Sequence, residues 1–404
     1  MSSDSPRLSS RSWLESVVEA LGQQLHSASQ GADINQTLSE SHVELLTPIL
    51  SDMRVTLEGD EGTLIQHMLR SLMELCRPSA PISGFSYFTR TAAETVLYLA
   101  GSHGAVLAEF AIDAANVDLE ESPGTVVNQG PTSNTYRGTY RGQPALFKEY
   151  RALESHSRQG IDVKMVAVTQ TLLRTSFPGS GLVPIIGIWQ PHQGFDHRTF
   201  LVEDSTPASV DLANYLLQNP GVDRLLLLKD VVEAFASLHA NHLVLGPITQ
   251  QSLIVAPSGR AYLSNFDYLR FGNSDTPFIP MLISLDAIRW MAPELVRPFK
   301  EERESPTLTK AGDMYSLGCL MLWLLTGRSP FAEYNQYPRH MLALITAVIE
   351  KGPAEISTGR FGLTDEMWTA IGVCCAREPT GRPSVSDILN LAFLDGLVDN
   401  RTRN

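Results

Sequence analysis

The stretch DMYSLGCLMLWLLTGRSPF, Asp313 to Phe331, contains LGCLMLWLL, among the longest apolar runs of a 404-residue chain. A helix that crosses a bilayer needs about 20 predominantly apolar residues. This run is too short for that and has the length of a helix buried in a globular core. The composition agrees with a globular reading: 43% hydrophobic and 19% charged residues leave room for two or three domains. A net charge of -13 argues against a nucleic-acid binder, which needs a basic face. Four cysteines, Cys76, Cys319, Cys374 and Cys375, form no CxxC pair and read as reduced thiols of a cytosolic or nuclear protein. The N-terminus MSSDSPRLSSRSW lacks the apolar segment of a secretory signal.

Outward from that run the chain changes character twice. From about Asn219 onward it is mostly helical. Before it, TYRGTYRGQPALFKEY alternates in the manner of two strands, with Gly142-Gln143-Pro144 as the turn, and LVPIIGIW and RTFLVED are two further strand candidates. Still earlier, Leu14, Val17, Val18, Leu21 and Leu25 share one helical face behind a Ser12/Glu15 capping box. Ser41 and Glu44 repeat the device, and a third amphipathic run spans Leu64 to Leu75. The segment 87–117 is apolar but interrupted by Gly101 and Gly104, and it is compatible with helices or strands. ANVDLEESPGTV, acidic and turn-rich, reads as a linker. The expected division is a tail over 1–11, a mainly helical domain over 12–117, a linker over 118–123, a main domain over 124–396 and a C-terminal tail over 397–404.

Several motifs in order make the main domain resemble a protein kinase. RWMAPEL, Arg289 to Leu295, carries an Ala-Pro-Glu element, DMYSLGCLMLWLLTGRSPF resembles the central helix of the large lobe, and REPTGRPS supplies a late Arg. PALFK puts Lys148 at the strand lysine, and GRAYLSNFDYLRFG resembles the approach to the activation segment. The phrasing is similar to the tyrosine-kinase-like group as met in mushroom-forming fungi. The resemblance implies an α+β, bilobal fold: a small β-rich N-lobe and a large helical C-lobe, here preceded by the helical N-terminal domain.

Phosphoryl transfer needs a glycine-rich cover for the phosphates, a lysine held by a Glu, a base Asp, and an Asn and a second Asp for magnesium. Where the family runs His, Arg or Gly, Asp, Leu, Lys, two variable residues and Asn, this chain reads Leu245 to Ser252. The base position is Pro247, the lysine Thr249 and the metal-binding Asn Ser252. The Asp-Phe-Gly triplet reads Asn265-Phe266-Asp267. In NQGPTSNTY only Gly130 survives; Asn128 and Ser133 fill the other glycine positions and Pro131 removes an N–H. No Glu lies in VKMVAVTQTLLR, where Met165 or Val166 falls nearest the expected place.

The resemblance therefore implies a pseudokinase, a signalling scaffold or allosteric partner of other proteins, cytoplasmic or nuclear, without nucleic-acid or membrane binding. It implies no catalytic residue, no metal ligand at the degenerate positions Ser252 and Asn265, and no cofactor beyond weak ATP. Gly130 and Lys148 are remnants of a nucleotide site; taken alone, Lys148 is a lysine reaching out from a strand. Asp267 reads as a turn residue, and His239 and His242 as helix-end histidines. Glu294 and Arg382 match a buried structural pair, and Asp313 a residue that ties the central helix to the catalytic-loop backbone. An active or ATP-binding Ser/Thr kinase with an atypical site stays open as the alternative.

Overall fold

The computed structural model describes residues 110–119, 126–129, 133–150, 181–191, 198–204, 210–240, 243–264, 268–271, 285–301, 307–334, 341–353 and 362–401, with Glu19 and Gln23 in helix. The helices expected over 12–25, 41–50 and 64–75 otherwise lie outside the described residues. So do Gly130, Pro131, Met165, Val166, His242, Asn265, Phe266 and Asp267. The chain divides into two compact units, the smaller drawn from residues up to 127 with 134–177 and 185–203, the larger taking in 204–404.

The smaller unit is a sheet. Its strands are β1 (Val117–Asp118), β2 (Val126–Gln129), β3 (Ser133–Tyr140), β4 (Gln143–Tyr150), β5 (Ile185–Trp189) and β6 (Phe200–Asp204). They run in the order β1-β3-β4-β6-β5, with β2 also on β3. The turn from β3 to β4 is Arg141-Gly142, both at positive φ (53° and 71°), not Gly142-Gln143-Pro144. Two-residue hairpins favour that mirror-image turn because its twist matches the strands, so Pro144 falls inside β4. Alternation along β4 and β6 puts Ala145, Phe147, Phe200 and Val202 into one core cluster. Trp189 closes it edge-on to Phe147 at 5.8 Å and tilted on Phe200 at 4.9 Å between ring centroids.

The sheet also begins earlier than residue 124. Val117 and Asp118 stand opposite Tyr140 and Thr139 of β3, and Ala111 bridges in parallel to Ile188 of β5. These pairings straddle the 117/118 limit expected between helical domain and linker. They are made by backbone groups and one buried apolar side chain, Ile112, which leaves no alternating pattern to read.

The larger unit is mainly helical. Its first helices are α1 (Leu212–Gln218) and α2 (Arg224–Ala240), and α3 (Leu285–Ile288) and α4 (Pro293–Glu301) follow the strands that come next. Two small antiparallel pairings accompany them: β7 (Val210–Asp211) with β9 (Leu253–Val255) and β10 (Ala261–Leu263), and β8 (Leu243–Val244) with β11 (Arg270–Phe271). Helix α5 (Lys310–Thr326) is the run that opened the sequence reading. Thr309 caps its N-terminus by accepting the Gly312 N–H, and Gly327, at φ 73°, ends it. Every residue from Gly312 to Leu324 is buried, as an all-round apolar helix must be. It packs against α2 and α7 (Asp365–Cys374), while α6 (Met341–Glu350) packs on α4 and α8 (Val385–Leu389) on α2. No described helix is long and apolar enough to cross a membrane.

The residues expected as a C-terminal tail are partly docked. Arg401 donates to Asp230 of α2 (2.8 and 3.0 Å), to Asp399, and to the carbonyls of Gly259 and Leu226. Arg260 donates to the same Asp230 and Asp399, each at 2.8 Å. Two arginines and two aspartates thus neutralise each other across elements far apart in sequence. A short polar terminus gives no periodic signal of such docking.

Candidate active site

The loop after β8 is built from the inside. Leu243, Val244, Leu245 and Ile248 are fully buried, so side-chain burial alone pins this stretch against the core. Between them the chain turns at Gly246, where φ is 76°. A Cβ there would also lie 2.9 Å from Tyr268 and 3.0 Å from Leu308, so both backbone angle and space call for glycine.

Asp313, in the first turn of α5 and 0% exposed, holds the loop from below. Its carboxylate accepts the N–H of Leu245 at 2.9 Å, the N–H of Gly246 at 2.8 Å, and Nε2 of His239 at 2.9 Å. A buried carboxylate survives only when its oxygens are satisfied. His239 sits in the last turn of α2 and is itself buried. An ionised carboxylate can only accept, which places the ring proton on Nε2. The His239 carbonyl accepts the Lys310 ammonium, whose pKa burial lowers against the opposing pull of Asp313. The sequence reading of His239 as a helix-end residue missed this bond. The signal available was its place just before the loop that Asp313 serves.

Past Gly246 the loop carries Pro247, buried, with neither an acceptor side chain nor an N–H. Thr249 and Ser252 then cap each other. The Thr249 hydroxyl accepts the Gln251 N–H at 3.2 Å, the Ser252 hydroxyl accepts the Thr249 N–H at 3.3 Å, and the 3-10 turn Gln250–Ser252 closes between them. Ser252 is 2% exposed. From Leu243 to Val255 the chain has no ionisable side chain. Nothing in this stretch can take a proton from a hydroxyl at neutral pH. A divalent cation would find at Ser252 one neutral hydroxyl already engaged in a hydrogen bond, whereas magnesium favours carboxylate oxygen. The described loop residues do not fit that ion.

In the smaller unit Lys148 is 4% exposed, one step along β4 from Phe147 and so on the opposite face. Its neighbour Glu149 accepts the Tyr136 hydroxyl at 2.8 Å. Ser133, which begins β3 and is counted with the larger unit, is buried.

Glu294 and Arg382 meet in a two-pronged ion pair, Nη1 to Oε1 at 2.7 Å and Nη2 to Oε2 at 2.8 Å. The Arg382 side chain is fully buried and that of Glu294 one-quarter exposed. The same guanidinium donates to the carbonyls of Ala376, Ala311 and Arg377 and lies 5.2 Å from the Tyr315 ring centre. All five of its N–H groups are engaged. Arg289 of RWMAPEL is buried too, donating to the carbonyls of Pro330 and Phe331.

Comparison with known proteins places this arrangement. The sequence model of the protein kinase domain matches residues 184–394, just over half of the chain. A mitogen-activated protein kinase kinase kinase 3 of Arabidopsis thaliana is 28% identical over 166 residues, 41% of this chain and 25% of that protein. The dual specificity protein kinase TTK of Mus musculus is 24% identical over 193 residues, 46% of this chain and 22% of that protein. A probable inactive serine/threonine-protein kinase of Dictyostelium discoideum is 23% identical over 244 residues, 56% of this chain and 18% of that protein. The chain spans no more than a quarter of the length of these three relatives. With the matched domain, the Asp313-held loop and the Glu294–Arg382 pair all in place, the chain belongs to the protein kinase family.

Proposed function

We propose that this kinase-family chain is catalytically inactive, a pseudokinase that serves as a signalling scaffold or allosteric partner of other proteins inside the cell. One observation carries the reading. Asp313 keeps the catalytic-loop outline while Pro247 stands at the base position and Ser252 uses its hydroxyl to close its own turn. Asn265 in the place of a metal-binding Asp, and Asn128 and Ser133 in the place of loop glycines, support it from the sequence. The relative named as probably inactive is in keeping with it. The phrasing of the kinase-like motifs as a whole supports the finer grouping with tyrosine-kinase-like sequences. The net charge of -13 supports protein partners over nucleic acid, and cytoplasm or nucleus as the compartment goes with that role. No resident cofactor follows from the reading, and ATP binds weakly at most.

A second reading is an ATP-binding or active Ser/Thr kinase with an atypical site. Lys148 is kept and buried, and the plant and mouse relatives carry kinase names. The experiment is transfer of labelled phosphate from ATP by the purified full-length protein, beside a Lys148→Ala control. We expect no transfer. Transfer that vanishes in the control refutes the proposal. A melting scan separates nucleotide binding from catalysis. A ligand at about 100 times its Kd stabilises by roughly 2.7 kcal/mol, a shift of several degrees for a domain of this size. We expect almost no shift at millimolar ATP, with or without magnesium.

A further inference from the structure

Residues 110–119 run from one edge of the small sheet to the other. At the β5 edge the Ile112 N–H donates to the Ile188 carbonyl at 2.9 Å, and the Ile188 N–H donates to the Phe110 carbonyl at 2.7 Å. At the far edge Val117–Asp118 is β1, and the Arg141 N–H reaches the Asn116 carbonyl at 2.8 Å. The step between the two edges is organised locally, with the Asp113 carboxylate accepting the Ala115 N–H at 3.0 Å. The side chain of Ile112, 9% exposed, joins the cluster of Ala145, Phe147, Phe200 and Val202, with Val117 and Leu119 packed beside it.

The edge strands are shaped to receive this segment. A Cβ on Gly187 of β5 would come 2.3 Å from the Phe110 carbonyl oxygen and 3.0 Å from Ile112 Cγ1. The three atoms nearest to that missing Cβ all belong to the segment, so glycine there serves its close approach. At Gly138 of β3 a Cβ would meet the Asp118 carbonyl oxygen at 2.7 Å and the Phe147 ring at 2.8 Å, so this glycine serves both the segment and the core beneath it. An open sheet edge offers unpaired backbone groups; here Ile188, on the outermost strand of the sheet order, has both of its outward groups taken.

We propose that residues 110–119 are a latch that closes the small sheet edge to edge and bears on the strand that carries Lys148. Ile112 shares its core cluster with Ala145 and Phe147 of β4, the latter the neighbour of Lys148, so seating or releasing the latch tightens or loosens β4. The N-terminal part of the chain, which leads straight into Phe110, thereby gains a mechanical hold on the nucleotide-site remnant. This inference stands on the smaller unit alone and does not depend on whether the chain transfers phosphate.

The test is hydrogen exchange on the full-length protein, wild type beside Gly187→Val, which obstructs the latch, and Ile112→Ala, which only thins its packing. Gly221→Val serves as control, since a Cβ at Gly221 meets nothing within 4 Å. We expect the Ile188 and Arg141 amides to exchange at least tenfold faster in both latch variants. A smaller rise should extend over 145–148, with the Leu245 and Gly246 amides unchanged. If Gly187→Val fails to fold, Ile112→Ala gives the reading. Unchanged exchange at Ile188 and Arg141 in folded variants overturns the proposal. So does an equal rise at Leu245 and Gly246, which marks general destabilisation rather than a latch.

Discussion

Cutting the Glu294–Arg382 pair should destabilise the larger unit by an amount that depends on which partner is removed. Glu294→Ala leaves a guanidinium whose side chain is 0% exposed, but that cation keeps the carbonyls of Ala311, Ala376 and Arg377 and the face of Tyr315. The loss should sit near the lower end of the roughly 3–5 kcal/mol that follows removal of one partner from a buried pair. Arg382→Ala removes all five donors at once. Glu294, one-quarter exposed, can rehydrate, but the carbonyls of Ala311, Ala376 and Arg377 lose their guanidinium partner, and a cavity opens under Tyr315. This variant should reach the upper end of the range. At about 2–4 °C per kcal/mol for a unit of this size, the melting transition should fall by roughly 6–20 °C, further for Arg382→Ala. Arg382→Lys should recover little, since an ammonium cannot reproduce the two-pronged fork and the three carbonyl bonds together. The assay is thermal unfolding followed by circular dichroism. A fall below about 2 °C in both alanine variants, or the reverse order, refutes the reasoning.

Asp313→Asn should free the loop at a cost of about 3 kcal/mol, since an amide N–H₂ would then face backbone N–H donors; exchange of the Leu245 and Gly246 amides should speed up before any other. Arg401→Ala should cost about 1–3 kcal/mol through the bonds lost at Asp230 and the two carbonyls, read by melting. Hydrogen bonds from Arg401 hold the Asp399 carboxyl well below its ordinary range. A lowered carboxylate pKa stabilises above the ordinary Asp value, and the contribution fades as pH falls beneath it; in Arg401→Ala the Asp399 titration, followed by NMR, should return toward the ordinary value. Limited proteolysis should cut first in the turn-rich Glu120–Gly124 stretch. The two fragments should nevertheless co-elute, because 110–119 remains hydrogen-bonded to both sheet edges.

The kinase fold was legible because its signals are local. The apolar run LGCLMLWLL, the phrase RWMAPEL and the alternation through PALFK each lie within a few residues. That the stretch Leu243–Val255 carries no ionisable side chain was legible for the same reason, since it is visible in the letters themselves. What escaped was made by contacts between distant residues. His239 and Asp313 lie 74 positions apart, Arg401 and Asp230 171, and no periodicity links them. The start of the sheet at Ala111 escaped for a related reason, because backbone pairing leaves no mark on side-chain pattern. The hairpin turn was misplaced because Pro144 drew attention away from Arg141, whose left-handed backbone is unusual for its type.

The bonds from Asp313 into the loop end on main-chain N–H groups, and its third goes to His239. None is made to the side chains at 247, 249 or 252. The outline of the loop is thus inherited independently of what the loop displays, as a picture frame outlasts its canvas. Substitutions at 247, 249 and 252 therefore need not disturb the anchor that shapes the loop. The reverse substitutions need not disturb it either. A double replacement, Pro247→Asp with Ser252→Asn, would set its new groups into a contour already drawn for them.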